Sequence, residues 1–159
     1  MPLYQGGREK GPLILGAARG MGDAPGGEVV LVVSVESGQV ALGCDAASVR
    51  RARLVAASFA RACELDGLTE DLELVTSELV SNAIRHADAS ITLALMCADQ
   101  RVRVEVSDDG RGVPTLLAPE ASSDSGRGLV IVAGVADSWG SRPANGQGKT
   151  VWAELVPPI

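Results

Sequence analysis

The sequence of this chain predicts an α+β fold, a two-layer sandwich with helices packed on one face of a mixed, mainly antiparallel sheet. Two observations support this prediction. Several short segments alternate apolar and polar residues, as strands with one buried face do, and longer segments repeat apolar residues at helical spacing. Along the 159 residues the predicted order is two strands, two helices, two strands, a helix and two strands. A chain of this length is expected to form one domain.

Six segments are predicted to be strands because β-branched or alternating apolar residues dominate them. In the clearest segment, residues 101–107, three valines alternate with charged residues. Turn-forming residues separate the strands of the first two pairs, at Ser37-Gly38 and at 98–100. The predicted strands cover residues 28–35, 39–43, 91–96, 101–107, 138–141 and 149–155.

Three helices are predicted from the spacing of their apolar residues. Asp45 is a suitable N-cap for a helix over 46–64, and Thr69 is expected to cap the second helix. A loop rich in Gly, Pro and Ser over 108–127 leads to a third, strongly apolar helix over 128–136.

The first 27 residues differ from the rest of the chain. Of the 19 glycines, eight lie in this segment, which lacks hydrophobic periodicity. Such a composition does not favour a packed core. We therefore expect a flexible leader over 1–27 and a single domain over 28–159.

Composition excludes several classes of function. The net charge of −6 argues against a broad basic surface for nucleic acid, and no apolar run approaches the length of a membrane span. The three cysteines form no CxxC pair, which favours a reduced, cytoplasmic protein over a disulfide or zinc scaffold. With His86 as the one histidine, a multi-histidine metal site is excluded.

The second predicted helix carries the first candidate site. Glu78, Asn82 and His86 are spaced four residues apart, so they share one helix face. A carboxylate and an amide one turn apart can bind a hard cation and orient a nucleophile. On spacing alone, a plain polar helix face is the commoner explanation.

Glycines mark two further candidate sites. Asp108 ends a predicted strand, and Gly110 and Gly112 after it would let the backbone approach a flat ligand whose amine the carboxylate could bind. Gly126 and Gly128 open the third helix, where exposed amides and the helix dipole favour an anion. Taken singly, each segment is as typical of an ordinary glycine-rich turn.

Taken together and in this order, the three segments resemble the N, G1 and G2 boxes of the GHKL ATPase superfamily. The segment 148–152 is similar to the closing Gly-x-Thr strand of that superfamily. The resemblance covers about residues 39–157 and implies the Bergerat-type ATP-binding fold. The most similar branch contains anti-sigma factors that are also serine-protein kinases. An Arg-bearing helix before the N box, a short loop over 113–125 and the expected lack of a second domain favour this branch.

The resemblance implies ATP and Mg²⁺ as cofactors and a role for each matching residue. Glu78 would be the general base, and Asn82 would be the magnesium ligand. Asp108 would accept a hydrogen bond from the adenine amine, and Thr150 would lie near the adenine, linked to Asp108 through water. His86 is expected to form hydrogen bonds at the helix end. Residues expected to lie near the base or the phosphates are Gly110, Gly112, Gly126, Arg127, Gly128 and Leu129.

The function that the resemblance implies is that of an ATP-binding anti-sigma regulatory protein. It would phosphorylate a serine or threonine of an anti-anti-sigma partner and sequester a sigma factor. The resemblance also suggests a homodimer, and no direct contact with nucleic acid or membrane is expected. Three alternatives stay open. They are a catalytically inactive, nucleotide-gated regulator of the same fold, a detached histidine-kinase catalytic domain, and a relative that has lost ATP binding.

Overall fold

The computed structural model of the chain describes residues 32–33, 37–87, 90–110, 124–144 and 147–159. The predicted leader over 1–27 and most of the predicted first strand lie outside these residues. The described elements are β1 (Val32–Val33), β2 (Ser37–Leu42), α1 (Ala46–Ala62), a 3₁₀ turn (Asp66–Leu68), α2 (Thr69–His86), β3 (Ile91–Ala98), β4 (Arg101–Asp108), α3 (Asp124–Val135), β5 (Ser138–Pro143) and β6 (Lys149–Leu155).

The described strands form one sheet in the order β1-β2-β3-β4-β6-β5. Each pair of neighbouring strands is antiparallel, so the sheet is simpler than the mixed one predicted. In sequence, α3 and β5 separate β4 from β6. In the sheet, β6 lies directly beside β4, and β5 forms the edge. In this register Asp108, the last residue of β4, lies opposite Lys149, the first residue of β6. The α+β class is confirmed.

The core lies between the three helices and one face of the sheet. Aliphatic side chains fill it almost completely, and Phe59 is the single aromatic residue among the buried hydrophobic residues of the described chain. Helix α2 is central, because it contacts α1 on one side and α3 on the other while it also packs on β3, β4 and β6. Its buried stripe includes Leu72, Val75 and Leu79, each with no exposed surface. This packing fixes the position of the polar face of α2.

Helix α1 begins as the sequence predicts. The side chain of Asp45 accepts a hydrogen bond from the backbone N–H of Ser48 at 2.9 Å, which satisfies one of the free amides of the first turn.

Two other local predictions are wrong. Ser37 and Gly38 do not form a turn but belong to β2, because pairing with β3 extends the alternation of exposed and buried residues through them. Thr69 does not cap α2 but is its first residue, since a 3₁₀ turn ending at the buried Leu68 leads directly into the helix.

The third helix also differs from its prediction. It begins at Asp124 rather than at residue 128, so the glycines at 126 and 128 lie inside its first turns. Glycine lowers the stability of a helix but can adopt helical backbone angles. The helix therefore includes both glycines together with the apolar residues that follow them.

The sheet face away from the helices carries a network of charges. Arg142 binds both carboxylate oxygens of Glu105, at 3.1 and 2.7 Å. Arg103 joins Glu105 to Glu154 with hydrogen bonds of 2.8 and 2.7 Å, and its guanidinium lies 4.1 Å from the ring centre of Trp152. These contacts link β4, β5 and β6 on the side opposite the core.

Glu105 gives this network a pH dependence. Partial burial raises the pKa of its carboxyl, but the hydrogen bonds from Arg142 and Arg103 outweigh burial and hold the pKa below its ordinary value of 4.5. A carboxyl whose pKa is lower in the folded state stabilises the fold above the unfolded pKa and loses this effect as the pH falls through the folded pKa.

We therefore expect Glu105→Gln to lower the free energy of unfolding by about 1 kcal/mol at pH 7, since a neutral amide binds two guanidiniums poorly. The difference from the unsubstituted protein should shrink as the pH falls below 4.5, toward the lower pKa of the folded state. Urea unfolding across this pH range measures it. Glu64→Gln, at an exposed position, is the control and should change little. A difference that stays constant with pH would show that the charge of Glu105 contributes nothing.

Candidate functional site

The polar face of α2 contributes the first part of the site. Asn82 is buried with 8% of its surface exposed, Glu78 is half-buried, and His86 is exposed at the last turn. The three residues lie on one face, as their spacing predicts. This face points toward the end of β4 and the beginning of α3, as the contacts described below demonstrate.

The second part of the site is the carboxylate of Asp108. Its side chain is 1% exposed, and Oδ1 accepts a hydrogen bond of 3.0 Å from the backbone N–H of Gly110. The other oxygen, Oδ2, is buried and has no hydrogen-bond partner among the residues that the structure describes. The ammonium of Lys149 lies 3.7 Å from Oδ2, which is an ion-pair distance but longer than a hydrogen bond. Asp108 therefore offers one buried acceptor oxygen to a ligand.

Two glycines allow three backbone segments to meet beside Asp108. A Cβ on Gly110 would collide with the carbonyl oxygen of His86, at the end of α2. A Cβ on Gly148 would collide with the carbonyl oxygen of Asp108, and Gly148 has a φ of +103°, which L side chains rarely adopt. The ends of α2 and β4 and the start of β6 are thus in direct backbone contact.

The first turns of α3 pack against the polar face of α2. A Cβ on Gly128 would lie 2.6 Å from Oε2 of Glu78, so the absence of a side chain there is what lets the carboxylate reach α3. Gly126 lies in the first turn of α3, Arg127 is exposed, and Leu129 packs against the core. The structure therefore brings the first and third predicted segments together at Glu78.

The pKa of His86 depends on the charges around Asp108. Partial shielding of the imidazole from solvent lowers its pKa, the positive charges of Lys149 and Arg85 lower it further, and Asp108 opposes the shift. The imidazole is therefore neutral at pH 7, and the site gains no second cation from it.

Thr150 lies on the other side of the sheet, which corrects its expected position. Its hydroxyl is 2.7 Å from the hydroxyl of Ser107, and this pair faces away from the helices. Because side chains alternate along a strand, Lys149 rather than Thr150 lies beside Asp108.

Lys149 is the site residue that sequence reasoning missed. The sequence contained a signal for it, since residues 151, 153 and 155 of β6 face the core and residue 149 has the same parity. The resemblance to a Gly-x-Thr strand instead predicted Thr150 as the site residue of this strand. Gly112, the remaining predicted residue of the second segment, lies outside the described residues.

The described part of the chain lacks two features that would indicate other functions. No three His, Cys, Asp or Glu side chains converge there into a metal site. None of its helices combines the length and apolarity that crossing a membrane requires. A divalent ion held by the amide of Asn82 would need the oxygens of a bound phosphate group to complete its coordination.

Residues 43–155 match the family model described as the histidine kinase-like ATPase domain. The chain belongs to this family. The match confirms the superfamily that the three segments predicted, although it does not distinguish the anti-sigma branch from other branches. Family membership indicates a nucleotide-binding domain, and the buried, unpartnered oxygen of Asp108 fits an adenine amine.

Two solved structures are also similar to the chain. One is the histidine kinase domain from the Erythrobacter litoralis EL346 blue-light activated histidine kinase, with 25% identity, a TM-score of 0.45 and coverage of 58% of this chain. The other is the Acinetobacter baumannii histidine kinase AdeS, with 17% identity, a TM-score of 0.43 and coverage of 75% of this chain. The matches span 46% and 68% of those two chains, so this chain matches less than half the length of the first.

The close approach at Gly148 makes a clear prediction. Gly148→Ala should lower the free energy of unfolding by about 1–3 kcal/mol, because alanine disfavours positive φ and its Cβ meets the Asp108 carbonyl. Thermal or urea unfolding measures the loss. Gly134→Ala is the matched control, since nothing lies within 4 Å of its Cβ in α3, and alanine there should stabilise by up to about 1 kcal/mol. Equal effects of the two substitutions would contradict the close approach.

Proposed function

We propose that this chain is an ATP-dependent serine/threonine-protein kinase of the anti-sigma type. It would phosphorylate an anti-anti-sigma partner and sequester a sigma factor in the cytoplasm. ATP binding is supported by the buried Oδ2 of Asp108, which accepts no hydrogen bond from any described residue and lies beside the contact of three backbone segments. The retention of both Glu78 and Asn82 on one helix face supports the kinase half.

Asp108 supports adenine binding because a buried acceptor without a hydrogen bond costs free energy. The 6-amino group of adenine would supply the missing donor. The backbone N–H of Gly110 already binds Oδ1, so Oδ2 is the oxygen left for the amine.

The first turns of α3 support phosphate binding. Free amides and the positive end of the helix dipole favour an anion at a helix N-terminus, and Gly126 places no side chain over the first turn. The exposed Arg127 adds positive charge nearby. A chain with a net charge of −6 needs such groups to bind a triphosphate.

Asn82 would be the protein ligand of Mg²⁺. Its amide oxygen is of the type that this ion prefers, and the phosphates of ATP would supply most other ligands. Mg²⁺ would neutralise charge on the transferred phosphate.

Glu78 would act as the general base. Its carboxylate lies against the start of α3, where the phosphates are expected. It would accept the proton of the attacking serine or threonine hydroxyl. The hydroxyl oxygen would form a bond to the γ-phosphorus, and the bond between the γ-phosphorus and the ADP oxygen would break. The products are the phosphorylated partner, ADP and protonated Glu78, which returns its proton to water.

Two other functions compete with this one. The family match is equally consistent with a catalytic domain that phosphorylates histidine, and with a regulator that binds ATP without transferring phosphate. The sigma factor, the anti-anti-sigma partner and the homodimer form part of the proposal through the resemblance to the anti-sigma branch. The chemical stability of the transferred phosphate separates the alternatives, because phosphoserine survives acid and phosphohistidine does not.

Asp108→Asn should weaken Mg-ATP binding about 10-fold or more, because the charged acceptor for the adenine amine is lost. Isothermal titration calorimetry measures the dissociation constant. Asp99→Asn, at an exposed turn on the far end of β4, is the matched control and should bind like the unsubstituted protein. If Asp108→Asn binds Mg-ATP as tightly as the control, adenine recognition by Asp108 is wrong.

Glu78→Gln should lower phosphate transfer to the partner by about 10²–10⁴-fold while Mg-ATP binding stays within a few-fold, since the amide cannot accept the proton. Acid-stable transfer of radiolabelled phosphate to a co-purified partner is the measurement, with the exposed Glu70→Gln as control. Acid-labile transfer would instead support the histidine-kinase alternative. Binding of ATP and partner without any transfer would support the inactive regulator.

A further inference from the structure

Lys149 is a buried cation for which the proposed mechanism gives no role. The residue is 6% exposed, and it is the first residue of β6, directly opposite Asp108 in the register with β4. Lysine is almost never buried to this degree unless its charge is compensated. The carboxylate of Asp108 supplies the compensation, with Nζ at 3.7 Å from Oδ2.

This ion pair leaves Oδ2 of Asp108 without a hydrogen bond from the described residues. At 3.7 Å the two charges attract each other, but the distance exceeds that of an N–H···O hydrogen bond. Oδ2 consequently lacks a donor, and the ammonium does not direct an N–H at this oxygen at hydrogen-bond length. The two side chains present an acceptor and a donor side by side at the end of the sheet.

Adenine carries the complementary pattern on one edge. Its 6-amino group donates, and the adjacent ring nitrogen N1 accepts. With the amine at Oδ2 of Asp108, N1 would face the neighbouring ammonium of Lys149. Guanine in the same pose would present its 6-oxo group to the carboxylate and its N1–H to the ammonium, so both contacts would be repulsive. The pair therefore matches one purine and opposes the other.

We propose that Lys149 is a base-specificity residue whose ammonium donates a hydrogen bond to N1 of adenine beside the contact made by Asp108. This inference rests on the proposed binding of ATP. In this proposal Lys149 contacts the ligand directly. If its role were purely structural, Lys149 would be only the counter-ion of Asp108.

The test compares ATP with 1-deaza-ATP, in which a C–H group replaces N1. The unsubstituted chain should bind ATP about 10-fold more tightly than 1-deaza-ATP, both with Mg²⁺, because a charged hydrogen bond is lost. Lys149→Met, which keeps an unbranched side chain without charge, should bind the two nucleotides equally. Lys149→Arg keeps a charged donor and should restore part of the discrimination. Thermal unfolding without nucleotide reports whether each variant is folded.

The outcomes separate the two proposals. If the unsubstituted chain binds ATP and 1-deaza-ATP equally, the contact between Lys149 and N1 is refuted while ATP binding stands, and this result needs no variant to fold. If folded Lys149→Met retains the discrimination, Lys149 is only the counter-ion of Asp108 and the inference is also wrong. If the unsubstituted chain binds neither nucleotide, the proposed function fails together with this inference.

Discussion

The site depends on the contact of three backbone segments at the end of β4. Gly110 lets the chain after β4 reach the carbonyl of His86, and Gly148 lets the chain before β6 reach the carbonyl of Asp108. A side chain at position 110 would push the chain after β4 away from the end of α2, and one at position 148 would push the start of β6 away from β4. Because α2 is held by its buried leucines and valines, this contact determines where Glu78 and Asn82 lie relative to Asp108.

That contact also explains why two opposite charges are buried together. Asp108 and Lys149 lie side by side because of the register between β4 and β6, and both side chains are almost fully buried. Removing one partner of such a pair leaves an uncompensated buried charge, which is costly, whereas the intact pair is close to neutral for stability. The pair is therefore better explained by what it can bind than by any contribution to the fold. The opposite face of the sheet has a separate ionic network around Glu105. That network links strands, whereas the pair of Asp108 and Lys149 lies at the proposed ligand site.

Much of this arrangement could be predicted from the sequence. The alternation over 101–107 and 149–155 identified the central strands with bounds close to those observed, and the spacing of Glu78, Asn82 and His86 identified the polar face of α2. Local patterns were less informative where long-range pairing decides structure. Ser37-Gly38 has the composition of a turn, but the ladder with β3 makes it a strand. Lys149 was missed because its significance depends on the register between two strands that are distant in sequence.

The proposed nucleotide site lies where α2, α3, β4 and β6 meet, on the helix side of the sheet. It can be tested by adding Mg-ATP to ¹⁵N-labelled protein and following the backbone and indole N–H signals by NMR. We expect shifts at the amides of Asn82, Gly110, Gly128 and Gly148, with the indole of Trp152 on the opposite face unchanged. Shifts confined to Trp152 and its neighbours, or no shifts at millimolar Mg-ATP, would contradict it.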